Sequence, residues 1–410
     1  MRPLYLMLHT KTHTGVSLLP VFLIVLVDVF GMTLVIPLLA IYAESFGATA
    51  LQATLLVSVF AVCQLVSGPL LGHASDRVGR KPMLIISQIG TFIGFIILAR
   101  ASTLWMIYLS RAIDGATAGN LSLAQAYIAD HTAPEDRAKA FGLIGIAFGL
   151  GFFIGPSVTG YLADAHGLNA PIYLAAAMSA TSILATTLLL KGGTPTTSLA
   201  HRTDALRWRT YSQYFARPQL RGLLVQFLFF MLSFSVFISG FALFAERRLV
   251  WNGEPFGPRE IGFAFTYVGL LGIVLQGGLI GRLVRVLGER RLALAGFMAL
   301  VVGYMGLGLV TSIALLIVVS TITAFGNGVL RPALTSLITR QAASHEQGVV
   351  LGITQSMTSM ASIVAPAAAG WLIGHNHMTL WATLAALLAG VGVVLSRGQE
   401  NPGAAGHPGS

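Results

Sequence analysis

Two aspartates, Asp28 and Asp114, are the acidic residues of this sequence that lie near the middle of long apolar segments. A carboxylate at that depth in a membrane is costly unless it is paired or faces water. Arg111 precedes Asp114 by three residues, so both side chains share one helix face. Burial opposes ionisation of a carboxylate and a nearby cation favours it, so two carboxylates competing for one arginine can exchange a proton. We therefore predict proton coupling at these three residues; the alternative for Arg111 and Asp114 is a static bridge that orders helix packing.

The elements that carry these residues are predicted to be transmembrane helices. The 410 residues include only 25 Lys and Arg and 15 Asp and Glu, and the mean hydropathy is +0.78. Apolar runs of about 18 residues or more recur along the chain, which is typical of a polytopic helical membrane protein. We predict an all-α integral membrane fold with twelve spans, at residues 18–40, 52–72, 83–100, 104–129, 139–162, 171–190, 221–245, 259–281, 292–311, 313–338, 348–373 and 379–396.

The basic residues predict the orientation of these spans. If the N-terminus is cytoplasmic, 19 of the 25 Lys and Arg fall on cytoplasmic segments, as the positive-inside rule requires. Both termini are then cytoplasmic, and the net charge of +10 needs no nucleic-acid partner. The single cysteine, Cys63, cannot form an internal disulfide, and we predict no metal site and no cofactor.

The two halves of the sequence repeat each other. The longest polar interruption divides the spans six and six, and Gly142, Pro156 and Gly160 recur as the same residue types 210 positions later. Parallel six-helix repeats predict alternating access about an axis along the membrane normal, with a binding site between the repeats near the midplane. We predict six-helix bundles at 1–190 and 221–396, a cytoplasmic linker at 191–220 that is either an interfacial helix or a solvated segment, and a cytoplasmic tail at 397–410.

The loop after the second span carries a motif that resembles the signature of the major facilitator superfamily. It comprises Gly72, Asp76, Arg77, Gly79, Arg80 and Lys81, and every defining position matches. On physical grounds Gly72 allows close helix approach, and Gly79 allows a tight turn. The resemblance implies the fold predicted above.

The same resemblance implies a conformational latch. In that family Asp76 would face the cytoplasmic start of the eleventh helix and, with Arg80 and Asp130, would hold the outward-facing state. The second half has Arg285 and Glu289 at the positions that correspond to Asp76 and Arg80. We therefore expect only the first copy to carry the full latch.

The fifth span is rich in glycine and resembles the antiporter motif of the drug and proton antiporter branch of this superfamily. Glycines at these spacings let helices pack closely, and proline bends a helix. The alternative is ordinary helix packing, since both residues are common in membrane helices. The motif residues are Gly142, Gly151, Gly155, Pro156 and Gly160.

The first span, from Val27 through Gly31 to Pro37, resembles the first helix of the TetA-like tetracycline and multidrug exporters. Two departures concern their substrate: the membrane aspartate of their third helix falls on Gly94, and the eighth span has no histidine. Tetracycline itself is therefore not the expected substrate, and Asp114 is expected to supply part of the missing charge. The predicted substrate contacts are Phe30, Gln64, Asn120, Gln125, Phe148 and Phe152.

These observations together predict a proton-coupled exporter of amphiphilic, neutral or cationic small molecules in the bacterial cytoplasmic membrane. It is expected to be multi-pass, driven by the proton gradient, and monomeric by resemblance to the family. The nearest alternative is a proton-coupled metabolite or sugar carrier of the same fold. A membrane enzyme or receptor is more remote, because the spans contain no Ser-His pair, HExxH motif or zinc-ligand cluster.

Overall fold

The computed structural model describes residues 19–131, 137–190, 213–343 and 346–400. Helices dominate these ranges, and one hairpin joins two strands of two residues each. Most of the predicted linker and of the predicted tail lies outside the described residues. The elements are α1 Leu19–Val35, α2 Leu39–Glu44, α3 Ala50–Val78, α4 Arg80–Ala99, α5 Leu104–Ala116, α6 Asn120–His131, α7 Arg137–His166, α8 Asn169–Leu189, α9 Pro218–Arg248, β1 Val250–Trp251, β2 Glu254–Pro255, α10 Pro258–Val274, α11 Ile280–Gly308, α12 Ile313–Arg340, α13 Gln347–Gly374 and α14 Met378–Glu400.

The all-α membrane fold with twelve spans is confirmed. In the described ranges nine helical stretches are long and apolar enough to cross a membrane. One of them, Pro258–Gly308, has 51 residues and contains two predicted spans, joined by a π-helical segment at Leu275–Leu279 and a non-helical Gly288. The first and fourth predicted spans complete the set, although each of them is broken.

The first span breaks at Pro37, which has no backbone N–H to continue the hydrogen-bond ladder. Helix α1 ends at Val35, and the carbonyl of Leu34 accepts a hydrogen bond of 2.9 Å from the hydroxyl of Thr159 in α7. A freed carbonyl in a membrane must find such a partner. The Thr159 hydroxyl therefore stabilises the break by satisfying this carbonyl.

The fourth span breaks at residues 117–119, which the sequence analysis did not predict. The hydroxyl of Ser87 in α4 donates to the carbonyl of Thr117 and accepts from the amide of Gly119. The hydroxyl of Ser67 in α3 donates to the carbonyl of Gly115 at 2.9 Å. Non-helical backbone is tolerated in a membrane only where its polar groups are satisfied in this way.

The chain forms two compact units. One comprises the described residues up to Leu190 together with Trp251–Leu270, and the other comprises residues 213–250 and the chain from Leu271 onward. In the first unit α1 packs against α7 and α8, and α4 packs against α5 and α8. In the second unit α9 packs against α13 and α14, and α11 packs against α12 and α14. The helices of the two units therefore pair in the same pattern. The predicted division of the chain into six-helix bundles at 1–190 and 221–396 stays a prediction.

Each unit has its own apolar core. In the first unit, buried residues such as Ile24 and Tyr127 pack around α1. In the second unit, the ring of Trp381 stacks against Phe244 with ring centroids 5.1 Å apart, and its indole N–H donates to the carbonyl of Val236 at 2.9 Å. Full burial of this indole without a partner would be costly.

Helices α7 and α10 meet through backbone contacts at glycines. A Cβ atom added at Gly160 would lie 2.8 Å from the carbonyl oxygen of Pro258, and one added at Gly269 would lie 2.5 Å from that of Phe152. A Cβ at Gly262 would collide with the carbonyl oxygen of Pro156. Small residues at such crossings are what allow membrane helices to approach closely.

We predict that Gly262→Ala destabilises the protein, because its methyl group must displace the backbone of α7; overpacking of this kind costs about 1–3 kcal/mol. The matched control is Gly272→Ala in the same helix, where an added Cβ meets no atom within 4 Å in the described structure. Both changes gain the same helix propensity. The midpoint of unfolding in detergent should fall for Gly262→Ala and not for Gly272→Ala. Equal midpoints for the two variants would contradict the close contact between Gly262 and α7.

Candidate functional site

Asp28 lies on α1, and its side chain is half-buried between α4 and α8. The hydroxyl of Ser182 and the amide of Gln88 lie within hydrogen-bonding range of its carboxylate, and Asp114 is close enough to interact with it electrostatically. The Gln88 amide nitrogen also donates to the Ser182 hydroxyl at 2.8 Å. Asp28 is therefore held by polar side chains that belong to two neighbouring helices.

Arg111 and Asp114 form an ion pair on α5, with 3.2 Å between Nη1 and Oδ2. Their side chains are only 7% and 10% exposed. The guanidinium carbon lies 5.9 Å from the centre of the Phe95 ring, a cation–π contact, and Thr91 is a hydrogen-bonding partner of the carboxylate. The other guanidinium nitrogen, Nη2, is buried without a hydrogen-bond partner among the described residues. Arg111 thus retains one free donor toward a further acceptor.

The Asp114 carboxylate is positioned by a glycine on the neighbouring helix. A Cβ added at Gly94 in α4 would lie 3.1 Å from the Cβ of Asp114 and 3.2 Å from the carbonyl oxygen of Ser110. These distances are tighter than ordinary van der Waals contact. Gly94 therefore leaves the space that Asp114 occupies. That Asp114 supplies part of the missing charge stays a prediction.

The break between α5 and α6 follows this ion pair directly. Asn120, predicted to contact substrate, is the first residue of α6, and its side-chain oxygen is buried without a hydrogen-bond partner in the described part of the chain. Broken helices beside unsatisfied polar groups are common at the binding sites of transporters. The role of Asn120 as a substrate contact stays a prediction.

The other predicted substrate residues are more dispersed. The rings of Phe148 and Phe152 stack on α7 with centroids 6.4 Å apart. Phe30 and Gln64 are half-buried on α1 and α3, and Gln125 is exposed on α6. Their role as substrate contacts stays a prediction.

The predicted latch residues of the first unit come together. Arg80 donates from Nε to Asp130 Oδ2 at 2.8 Å and forms a second ion pair with Asp76. The side chains of Arg80 and Asp76 are each 11% exposed, and that of Asp130 is 26% exposed. The guanidinium therefore bridges α3 and α6 at the start of α4. Their role in stabilising one conformation stays a prediction.

The structure assigns a different role to each glycine of this loop. Gly79, with φ 105°, alone separates α3 from α4, as its predicted turn requires. The predicted close approach at Gly72 is wrong, because no described atom lies within 4 Å of an added Cβ there.

Lys81 donates to the carbonyls of Thr187 and Leu190 at 2.8 Å each and so caps the end of α8. Arg77 is exposed.

The glycines of the antiporter motif position the helix that carries Asp28. An added Cβ at Gly151 would lie 2.5 Å from Val29 Cγ1, and one at Gly155 would collide with the side chain of Thr33. Gly142 and Pro156 lie in the same helix, α7, which continues through the proline. The motif therefore allows α7 to pack tightly on α1 next to Asp28.

The polar residues that surround these charges were not predicted from the sequence; the main ones are Gln88 and Ser182, both fully buried. The signal was available: an amide and a hydroxyl lie within predicted apolar spans, where a polar side chain needs a partner. Serine, however, is common in membrane helices. Its position in the sequence alone does not identify its partner.

Sequence comparison finds the family described as Major Facilitator Superfamily, whose model matches residues 21–277 and 249–408. Tetracycline resistance protein, class B, of Escherichia coli is 29% identical over 367 residues, which cover 87% of this chain and 88% of that protein. The class C protein of the same organism is 30% identical over 83% of this chain and 86% of its own length. Multidrug resistance protein 2 of Bacillus subtilis (strain 168) is 29% identical over 87% of this chain and 89% of that protein.

Solved structures share the fold. The human organic anion transporter TETRAN superposes with a TM-score of 0.71 at 24% identity, over 92% of this chain and 98% of that one. The nucleoside transporter NupG superposes with a TM-score of 0.74 at 15% identity, over 93% of this chain and 97% of that one. At these identities the likeness concerns the fold alone.

We predict that Arg111→Met destabilises the protein by about 3–5 kcal/mol, because it leaves the buried Asp114 carboxylate without its cation. Adding Asp114→Asn to Arg111→Met should restore most of this loss, because the Asp114 charge is then removed together with its partner. The free energy of unfolding in detergent, measured for both single variants and the double variant, gives the coupling between the two residues. Simple additivity of the two single losses would mean that the pair does not stabilise the fold.

Proposed function

This chain belongs to the Major Facilitator Superfamily, and we propose that it exports amphiphilic small molecules across the bacterial cytoplasmic membrane in exchange for protons. The observation that carries the proposal is the buried group of Asp28, Arg111 and Asp114 in the first unit. The names of the tetracycline and multidrug resistance relatives support the direction of transport and the class of substrate.

The charge of this group explains why protons and substrates would compete. With both carboxylates ionised and Arg111 protonated, the group has one surplus negative charge. A surplus charge is costly in a low-dielectric interior. A proton on Asp28 removes the surplus, and a cationic substrate beside Asp28 removes it equally well. Binding of one therefore favours release of the other, and this competition is the basis of antiport.

We assign the proton to Asp28 rather than to Asp114 because their surroundings differ. Asp114 has an arginine at 3.2 Å, which stabilises its ionised form. Asp28 has neutral partners, Gln88 and Ser182, and the electrostatic repulsion of Asp114. These surroundings support Asp28 as the carboxylate that takes up the proton.

Gln88 is suited to both protonation states of Asp28. Its amide nitrogen and the Ser182 hydroxyl are donors for an ionised carboxylate. Its side-chain oxygen is buried and has no hydrogen-bond partner among the described residues. That oxygen can accept from the carboxylic acid once Asp28 is protonated. The neutral form then has a partner as well, which permits repeated protonation and deprotonation at this site.

A neutral or cationic amphiphile fits the remaining lining. The stacked rings of Phe148 and Phe152 provide apolar surface, and Asn120 offers an unpaired acceptor. Apolar walls with a few polar groups are typical of small-molecule sites. Gly94, in place of an aspartate, leaves α4 without a carboxylate of its own at this position.

We predict that Asp28→Asn abolishes proton exchange, because an amide cannot carry the proton. In everted membrane vesicles with an acidic interior, addition of a cationic dye or a lipophilic drug should release protons through the wild-type protein, and tetracycline is added as the compound that is not expected to do so. The Asp28→Asn variant should give only the background of vesicles without the protein. Because the amide resembles the protonated carboxyl, the variant's binding of a cationic substrate, measured on purified protein, should weaken, whereas its binding of a neutral amphiphile should persist.

The matched control is Asp164→Asn, the same chemical change at a side chain that is 56% exposed and lies 3.9 Å from Arg259. This control should release protons as the wild type does. Proton release by Asp28→Asn at the wild-type level would refute the assignment of the proton. A wild-type protein that is silent with both the dye and the drug would refute export of this substrate class.

A further inference from the structure

The second unit contains a charge-reversed copy of the latch. Glu289 and Arg340 lie 209 and 210 positions after Arg80 and Asp130, so the cation and the anion have exchanged places. The ion pair is nevertheless formed, with 3.1 Å between Arg340 Nη2 and Glu289 Oε1. A latch-like pair is therefore present in both units, with opposite polarity, although the sequence predicted a full latch in the first copy only.

The Glu289 carboxylate has two partners in this arrangement, both at the same oxygen. The same Oε1 that faces Arg340 accepts a hydrogen bond of 2.7 Å from the Ser336 hydroxyl. The Glu289 side chain is only 9% exposed, whereas that of Arg340 is 70% exposed. The one negative charge of this region is thus buried and neutralised, while the arginine extends beyond it.

A cavity of about 700 Å³ opens beside this pair. Its lining comprises Leu287, Gly288, Glu289, Arg290, Arg291, Leu337 and Arg340. Arg290 and Arg291 are exposed and form no ion pair within the described ranges of the chain. Three arginines and one neutralised glutamate leave the cavity with a net positive charge. In the first unit, by contrast, Arg80 lies between two acids.

The backbone adds to this positive potential. Gly288, at φ 73° and ψ 159°, interrupts α11, so a new helical stretch starts at Glu289. The first amide groups of a helix lack intrahelical acceptors and carry a partial positive charge. The residues of that first turn, Glu289 to Arg291, line the cavity. Arginine side chains and the start of a helix are both features that favour binding of an oxyanion.

The position of the cavity relates it to the membrane surface. It lies in a segment that the distribution of basic residues places on the cytoplasmic side. Val286 directly precedes the lining residue Leu287, and its side chain is 80% exposed, as expected where the helix meets lipid. Basic pockets between membrane helices on this side bind the headgroups of anionic lipids.

We propose that this cavity binds a phosphate group, with Arg290 and Arg291 as its principal ligands and Arg340 at its rim. The phosphate belongs either to the headgroup of an anionic phospholipid in the inner leaflet or to a free phosphate compound of the cytoplasm. A bound anion would supply the negative charge that the second unit lacks relative to the first.

The test compares the purified protein in detergent with the double variant Arg290→Gln/Arg291→Gln. The control is Arg221→Gln/Arg397→Gln, which removes two other exposed arginines at cytoplasmic helix ends. Phosphatidylglycerol, phosphatidylcholine and inorganic phosphate are titrated separately, and the dissociation constant is taken from the shift of the unfolding midpoint. Removal of two cationic contacts should weaken binding about thirtyfold in the cavity variant and leave the control unchanged.

The separate titrations distinguish the two sources of phosphate. Phosphatidylglycerol acting alone would identify a lipid headgroup, and a response to inorganic phosphate as well would identify a site for free phosphate; both results support the cavity. Equal responses of the cavity variant and the wild type would overturn the proposal. So would the absence of any response in the wild type.

Discussion

The structure depends on one electrostatic constraint: a surplus negative charge has to be accommodated within an apolar helical unit. The ion pair of Arg111 with Asp114 neutralises two of the three charged groups, and neutral donors from α4 and α8 surround the third, Asp28. This arrangement of charges and neutral donors requires closely packed helices, because side-chain hydrogen bonds act only over short distances. The glycines that bring α7 onto α1, and the glycine that makes room for Asp114, are therefore part of the electrostatics of the site.

Much of the fold followed from the sequence because the membrane imposes a strong rule. Every backbone polar group must be satisfied inside lipid, so long apolar runs become helices, and the twelve spans were predictable. The breaks near Pro37 and at residues 117–119 were harder. Pro37 predicts the first break, whereas the second break depends on the hydroxyl of Ser87, which belongs to a different helix. Such tertiary support leaves no local signal.

Part of the candidate site was likewise predictable from the sequence, and part of it was not. Ionisable residues are rare in apolar spans, so Asp28, Arg111 and Asp114 could be identified from the sequence alone. Their mutual arrangement could not, because the sequence suggested two carboxylates competing for one arginine, whereas the structure pairs Arg111 with Asp114 and surrounds Asp28 with neutral groups. The two units also show that duplicated backbones need not keep duplicated charges. At the positions 210 residues after Asp28, Arg111 and Asp114 the second unit has Ile238, Thr321 and Ala324.

The seam between α7 and α10 has a mechanical consequence. Interlocking side chains fix two helices in one register, since each step along the axis requires a new set of rotamers. At Gly160, Gly262 and Gly269 the helices instead touch backbone to backbone. Relative displacement of the two helices at these points needs few changes of side-chain rotamer, and the hydroxyl pair of Ser157 and Thr266, 2.6 Å apart, can re-form with other partners. Contacts of this kind therefore restrict a shift of α10 along α7 less than interlocking side chains would.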